Sequence, residues 1–238
     1  MQLKKLTDHV YYSEHDTSGD RPVLGYIAGS NMAVMVDAGN SAAHRTTFLK
    51  LLQENGLKKP NVCVITHWHW DHTFGLHSLD METYAHPKTN EKLREMGTWE
   101  WNDNAMRERV RNGTEITFAD ENIRIEYADL TQIKVIPAVH SITDETVFDC
   151  GGILCRCLHL PSAHSDDSIV VYVPKEKVLF IGDIYGDDFY HDHSRSVAKT
   201  KALHDALAEL DFSTVIPGHS QPIPKENLLQ FLRGFLSE

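Results

Sequence analysis

The stretch that decides the fold extends from Val62 to His72 and reads VCVITHWHWDH. Its first five residues are mainly apolar and β-branched, which is typical of a buried strand. Four metal-ligand side chains follow within six residues, namely His67, His69, Asp71 and His72. Imidazole and carboxylate groups bind zinc, iron and manganese. Because unpaired polar groups of this kind are costly to bury, the segment predicts a metal site.

Three more polar residues follow apolar, strand-like segments later in the chain. They are His164, Asp183 and His219, and the last of them ends the sequence VIPGH. In α/β folds the loops at the carboxyl ends of strands converge, so these side chains are expected beside the first cluster. Seven ligands are enough for two metal ions.

Predicted strands and helices alternate along the rest of the chain. We predict strands over 9–13, 23–28, 32–37, 62–66, 153–160, 169–173, 178–181 and 215–216, and helices over 41–55, 194–210 and 225–236. Residues 87–112 look helical but irregular, and 116–127 resemble a hairpin. This alternation is typical of an α/β fold in which helices cover sheet faces.

Length and composition indicate one soluble domain over residues 1–238. Apolar residues make up 41% of the chain and the formal net charge is −11, which disfavours a nucleic-acid partner. No apolar stretch approaches the roughly 18 residues of a membrane span, and residues 1–10 lack the apolar core of a signal peptide. We therefore expect a cytoplasmic protein with a small-molecule substrate and no membrane partner.

Four cysteines occur, and all fall within apolar segments: Cys63, Cys150, Cys155 and Cys157. We expect them to be small buried hydrophobic residues. Cys155 and Cys157 would share one face of a strand, and no second pair completes a zinc set.

The pattern H-x-H-x-D-H at 67–72, followed by His164, Asp183 and His219, resembles the metallo-β-lactamase superfamily. Within it, the glyoxalase II-like hydrolases and bacterial lactonases are the most similar. The resemblance extends from about Val23 to His219 and implies a four-layer αββα sandwich. By the same resemblance, two divalent ions are bound, with zinc as the first choice and iron or manganese as alternatives.

The resemblance also implies how the ligands are shared. The first metal would be held by His67, His69 and His164, the second by Asp71, His72 and His219, and Asp183 would bridge both. Asp37, in VDAG, would support the histidine loop through a hydrogen bond. Without the resemblance, Asp37 reads as a turn residue before glycine.

The implied activity is hydrolysis of an ester, thioester or lactone by a metal-bridging hydroxide, because bound metal lowers the pKa of water to about 7. Asp71 would orient this hydroxide as well as bind metal. Tyr185 is a candidate hydrogen-bond donor to a substrate oxygen, with a packed aromatic as the alternative.

Five aromatic residues are candidates for an apolar mouth, namely Trp68, Trp70, Phe74, Trp99 and Trp101. Residues 87–112 would then be a helical cap over the metals. Core packing is the alternative. His191 and His193 form a second H-x-H pattern, but no D-H follows it, so we interpret them as surface or rim residues.

The chain departs from the family pattern in three places. Ser162-Ala163 stands where Pro-Gly is common, Asp166-Asp167 stands where Pro-Gly is frequent before Ser168, and nineteen residues follow His219. The last point leaves no room for the helical substrate-binding domain of glyoxalase II, which weakens glutathione thioesters as the expected substrate. Asp183 occupies a position that is Cys in the main zinc β-lactamases, so penicillin hydrolysis is not expected. His69 stands where the diiron flavoprotein relatives have Glu.

Other functions remain open at this point. A mononuclear iron persulfide dioxygenase would use ligands of the same type, and a nuclease or phosphodiesterase would use the same two-metal site. A non-enzymatic binding module is a further alternative, although all seven ligands are present. The oligomeric state is open as well, and a homodimer is suggested by analogy alone.

Overall fold

Two β-sheets pack face to face, and helices cover their outer faces. A computed structural model describes residues 1–77, 79–191 and 194–236. This is the α/β, four-layer αββα sandwich that the resemblance implied.

The first sheet has seven strands in chain order. They are β1 (Leu3–Lys5), β2 (Val10–Ser13), β3 (Gly25–Ala28), β4 (Ala33–Val36), β5 (Val62–Val64), β6 (Glu82–Ala85) and β7 (His140–Ser141). Strands β1 to β4 are antiparallel neighbours, whereas β4 to β7 are parallel. The parallel half places the end of β5 at the edge where loops gather.

The second sheet has the order β13-β12-β11-β10-β9-β8. Its strands are β8 (Glu145–Asp149), β9 (Leu154–His159), β10 (Ile169–Val173), β11 (Val178–Gly182), β12 (Thr214–Pro217) and β13 (Ile223–Pro224). Only β11 and β12 are parallel neighbours. Because β10 is antiparallel to both β9 and β11, strands β9, β11 and β12 all point the same way.

Seven α-helices complete the described part of the chain. They are α1 (Ala42–Glu54), α2 (Trp70–Thr73), α3 (Pro87–Met96), α4 (Asp103–Asn112), α5 (Thr117–Glu126), α6 (Val197–Glu209) and α7 (Lys225–Gly234). Helices α1, α3, α4 and α5 pack on the first sheet, and α6 and α7 on the second. Ser41 caps α1, since its side chain accepts a hydrogen bond from the His44 amide. Among the described residues, no helix has the length and apolar character needed to cross a bilayer.

The space between the sheets is filled by apolar side chains from both. Val34 and Val64 of the first sheet pack in the same cluster as Val171 of the second. Cys155 and Cys157 also lie in this layer and are fully buried. Burial of all four cysteines was predicted from the sequence and is confirmed.

The predicted hairpin over 116–127 is wrong, because this segment forms helix α5. Ile123, Ile125 and Tyr127 alternate as in a strand, which suggested the hairpin. However, Ala119 and Ile123 lie four residues apart, and both are buried against the helices of the first layer. Ile125 is left exposed. Packing of one helical face therefore outweighed the local β pattern.

Candidate metal centre

Strands from both sheets end at one edge of the sandwich, and the seven predicted ligands lie in the loops that follow them. Residues 67–72 follow β5, His164 follows β9, Asp183 follows β11 and His219 follows β12. A hydrogen bond from the Ile169 amide to the Thr66 carbonyl, 2.7 Å long, joins the two sheets at this edge. All seven side chains are thereby brought together in two groups.

The first group consists of three buried histidines. His164 Nε2 lies 3.2 Å from His67 Nε2 and 3.1 Å from His69 Nδ1. Burial, reinforced by the neighbouring imidazoles, lowers the pKa of His67 and His69 well below the usual value. These rings are therefore neutral, which is the form that binds a metal.

The second group combines two carboxylates with two histidines. His219 Nε2 lies 3.0 Å from Asp71 Oδ2 and 3.2 Å from Asp183 Oδ2. His72 Nε2 lies 3.0 Å and 3.3 Å from the same two oxygens. Burial by itself disfavours charged imidazoles, but the carboxylates outweigh it and raise the pKa of His72 and His219 well above normal. The carboxylates thus make this pocket strongly favourable for positive charge.

The donor set fits two divalent ions. Within each group, the ligand atoms all lie within 4.8 Å of one another. Asp183 Oδ1 is buried and has no hydrogen-bond partner among the described residues, although Asp183 Oδ2 belongs to the second group. A Cβ atom at Gly218 would lie 2.2 Å from this free oxygen, so only glycine leaves room beside it. A second ion would satisfy the unpaired oxygen.

Asp37 supports the histidine loop in the way the resemblance implied. Its carboxylate accepts hydrogen bonds from the Thr66 amide at 2.7 Å, from Thr66 Oγ1 at 3.0 Å and from His72 Nδ1 at 2.8 Å. The His72 bond leaves Nε2 directed at the second group. Asp37 has φ of 62°, a left-handed conformation that aspartate tolerates better than most residues.

A sequence model described as the metallo-beta-lactamase superfamily matches residues 19–219. The chain belongs to this superfamily. It is 24% identical to human acyl-coenzyme A thioesterase MBLAC2 over 99% of this chain and 86% of that protein. Family membership and the thioesterase relatives support a metal-dependent hydrolase.

Solved structures show the same metallo-β-lactamase fold. The chain matches a metallo-β-lactamase from Pontibacter korlensis with a TM-score of 0.70 and 18% identity, covering 100% of this chain and 99% of that one. It matches a metallo-β-lactamase from Hirschia baltica with a TM-score of 0.67 and 20% identity, covering 99% and 97%. At these identities the likeness concerns the fold alone.

The loop that carries His164 departs from the superfamily pattern, and Ser162 explains how it keeps its shape. Ser162 Oγ accepts hydrogen bonds from the amides of His164 at 3.0 Å and Ser165 at 3.2 Å. It also donates to the Ile184 carbonyl at 3.0 Å. The buried Ser162 side chain thus organises the turn that carries His164. His164 Nδ1 donates to the Asp187 carbonyl at 2.8 Å, which leaves Nε2 for the metal.

Asp20 is a site residue that the sequence analysis missed. Its Oδ1 lies 3.3 Å from His219 Nδ1, on the opposite side of the ring from the second group. Burial, with a contribution from Asp71, raises the pKa of Asp20 to about 7. No motif surrounds Asp20, so only the fold reveals its place.

A cavity of about 1020 Å³ opens beside both ligand groups. Its lining includes ligands of both groups, together with apolar side chains such as Ile116, Phe118 and Phe189. Tyr190 and Glu115 form a polar contact in its wall, where Tyr190 Oη donates to Glu115 Oε1 at 2.8 Å. Burial raises the pKa of Glu115. Neither residue stood in a recognisable motif.

The helical segment 87–112 does not line the large cavity. Residues 113 and 115–119, which include the start of α5, take that place. Of the five candidate mouth aromatics, Trp70, Phe74 and Trp101 are buried in the core of the first helical layer, although Trp70 also reaches the cavity wall. Trp68 and Trp99 are partly buried and contact Lys92.

Tyr185 lines the cavity, and its ring packs against Phe231 with centroids 5.9 Å apart. Burial, with a contribution from Asp183, raises the pKa of Tyr185 to about 12. Its contact with substrate stays a prediction. His191 lies on the cavity rim, exposed and bonded to Asp188 at 2.7 Å, while His193 lies outside the described residues.

Proposed function

We propose that this protein is a dinuclear metal-dependent hydrolase that cleaves an ester, thioester or lactone of a small molecule. The observation that carries the proposal is the opening of two adjacent ligand groups into one largely apolar cavity of about 1020 Å³. A cavity of this size suits an apolar acyl group of substantial length.

The ligands have separate tasks in this proposal. The first ion would be held by His67, His69 and His164, the second by Asp71, His72 and His219, and Asp183 would serve both. When bound, the two ions supply a nucleophilic hydroxide at neutral pH and polarise the carbonyl oxygen. Zinc is the preferred ion because neutral imidazoles and carboxylates suit it, and iron or manganese are the alternatives.

The side chains around the ligands orient the reactants. Asp71 is buried and lines the cavity, where it would accept a hydrogen bond from the attacking water in addition to binding metal. The apolar wall at Phe118 and Phe189 would hold the acyl chain and exclude water from it. In a thioester, the new carbon–oxygen bond forms from water, the carbon–sulfur bond breaks, and a water proton ends on the thiol.

Thioesters are the first substrates to test. The related human protein is named an acyl-coenzyme A thioesterase, and the large cavity suits an apolar acyl group. An iron persulfide dioxygenase remains the alternative from a different reaction class, and it would use one ion rather than two.

The test combines metal analysis with turnover of an acyl thioester by the same preparation. We expect two zinc or manganese ions per chain and release of free thiol. Asp183→Ala should lose bound metal and turnover, whereas Asp211→Ala, at an exposed carboxylate paired with Lys177, should keep both. One iron per chain, together with oxygen consumption on a persulfide and no thioester cleavage, would refute the proposal.

A further inference from the structure

A second, smaller cavity adjoins the metal centre on the far side of Tyr190. Its volume is about 350 Å³, and its walls share His69, His164 and Tyr190 with the large cavity. The Tyr190 ring stands between the two, with its centroid 5.0 Å from His69 and 4.7 Å from Trp68. Two of the three histidines in the first ligand group, His69 and His164, therefore lie where the two cavities meet.

The two cavities differ in the charged side chains that line them. The lining of the large cavity contains four carboxylates, Asp20, Asp71, Glu115 and Asp183, but neither lysine nor arginine among the described residues. The smaller cavity is lined by three lysines, which we call the lysine groove: Lys88 and Lys92 of α3 and Lys199 of α6. This convergence is notable in a chain with a net charge of −11.

Carboxylates in the lysine groove only partly offset these charges. Lys88 and Lys199 share a single carboxylate, Asp166, at 3.5 Å and 2.6 Å. Asp166 is more than half exposed, so these pairs contribute little and can rearrange around an incoming anion.

The other acidic side chains that line the groove already have partners. Asp167 is buried and accepts a hydrogen bond from Thr89 at 2.6 Å. Burial raises the pKa of Asp167, which favours its neutral form. Asp188 is bonded to His191. Neither of these side chains pairs with a lysine of the groove in the described contacts.

Lys92 is held in place by aromatic rings. Its ammonium group lies 5.3 Å from the ring centroids of both Trp68 and Trp99. Its carboxylate partner is Glu95, one turn further along α3, at 3.0 Å. The rings restrict the side chain, so less conformational entropy is lost when an anion binds.

We propose that the lysine groove binds a phosphate-bearing leaving group, while the apolar acyl group occupies the large cavity. This inference rests on the proposed hydrolase function and adds the orientation of the substrate. The three lysines of the groove would attract a phosphate, whereas the apolar wall of the large cavity, with Ile116, Phe118 and Phe189, suits a neutral acyl chain. The scissile carbonyl then falls between the two cavities, beside the metal ligands.

The experiment compares two thioesters with the same decanoyl group. One is the coenzyme A thioester, whose leaving group carries phosphates, and the other is the uncharged N-acetylcysteamine thioester. In the double variant Lys92→Gln/Lys199→Gln, we expect kcat/KM for the coenzyme A thioester to fall about tenfold, mainly through KM. The uncharged thioester should be cleaved as by the wild type, which also shows that the metal centre is intact.

Lys201→Gln is the matched control, because Lys201 lies on the same helix α6, is 66% exposed and lines neither cavity. It should leave both substrates unaffected. Equal effects of the double variant on both thioesters, or no effect on either, would overturn the groove assignment. If the wild type cleaves neither thioester, the proposed thioesterase function itself fails. If the wild type cleaves both but the double variant shows no selective loss, only the groove assignment fails.

Discussion

Replacement of Asp37 by asparagine should weaken metal binding although Asp37 touches no metal. The carboxylate accepts three hydrogen bonds, two from Thr66 and one from His72 Nδ1. Asparagine tolerates the φ of 62° and keeps one acceptor oxygen for the Thr66 amide. Its amide nitrogen, however, is a donor facing the His72 Nδ1 donor, so His72 loses the bond that orients it.

The expected magnitude follows from the bonds that are lost. Loss of the partner of a metal-bound histidine typically lowers metal affinity about 10–100-fold, or about 1.4–2.7 kcal/mol. The buried donor left unpaired on His72 should also lower the free energy of unfolding by about 1–3 kcal/mol. Asp37→Ala should cost more, because it removes all three bonds and places alanine at a positive φ, which adds about 1–2 kcal/mol.

The assay is competition for zinc between the protein and a chromophoric chelator, with urea unfolding of the metal-free protein measured in parallel. Asp211→Asn provides the control, since its carboxylate is 79% exposed, pairs with Lys177 and belongs to neither ligand group. The reasoning is refuted if Asp37→Asn binds both ions as tightly as the wild type. Lower stability with unchanged affinity would show that Asp37 supports the loop but not the ligand.

Three further predictions concern packing, acid stability and the cavity. Gly218→Ala should abolish tight binding of the second ion, because the added Cβ would lie 2.2 Å from the Asp183 carboxylate. Gly234→Ala is the control, since no atom lies within 4 Å of its added Cβ, and metal analysis should show that it binds metal normally. Burial lowers the pKa of His44 to about 3. Below about pH 6.5 the imidazole is therefore protonated in the unfolded chain but stays neutral in the folded protein. The free energy of unfolding is thus retained above that pH and decreases as the pH falls, by up to about 1.4 kcal/mol per pH unit. His44→Leu should flatten this pH dependence in urea unfolding between pH 6.5 and 4, and an unchanged pH dependence would contradict the assignment. Phe118→Ala should raise KM for a decanoyl thioester about fivefold by removing roughly 1 kcal/mol of apolar contact, whereas Ile125→Ala, equally exposed on the same helix but outside the cavity lining, should not.

The sequence by itself was sufficient for the ligand types and for most of the framework. Residues 67–72 carry four ligands in one short loop, so local spacing already places them together. Strands such as β10 and β11 consist of uninterrupted apolar residues, buried on both faces, and are readable without knowledge of their neighbours. The αββα arrangement followed from the resemblance rather than from these patterns.

The weakest sequence predictions concern segments whose local pattern is ambiguous. Strands β6, β7 and β8 were not predicted, since these strands are short and contain polar or partly exposed residues. Helix α5 was taken for a hairpin because alternation of its isoleucines matched a strand, and only its burial against α4 and the first sheet decides between the two.

Tertiary structure alone decided which distant side chains share a pocket. His164 meets His69 across 95 residues of sequence, and Asp20 meets His219 across most of the chain. The division of charge between the large cavity and the lysine groove likewise depends on where α3, α5 and α6 pack. Local sequence patterns report the preferences of neighbouring residues, whereas the substrate site is built from contacts between segments far apart in the chain. Such contacts are determined by the packing of the folded layers, which is why the sequence indicated the metal chemistry but not the shape or charge of the space around it.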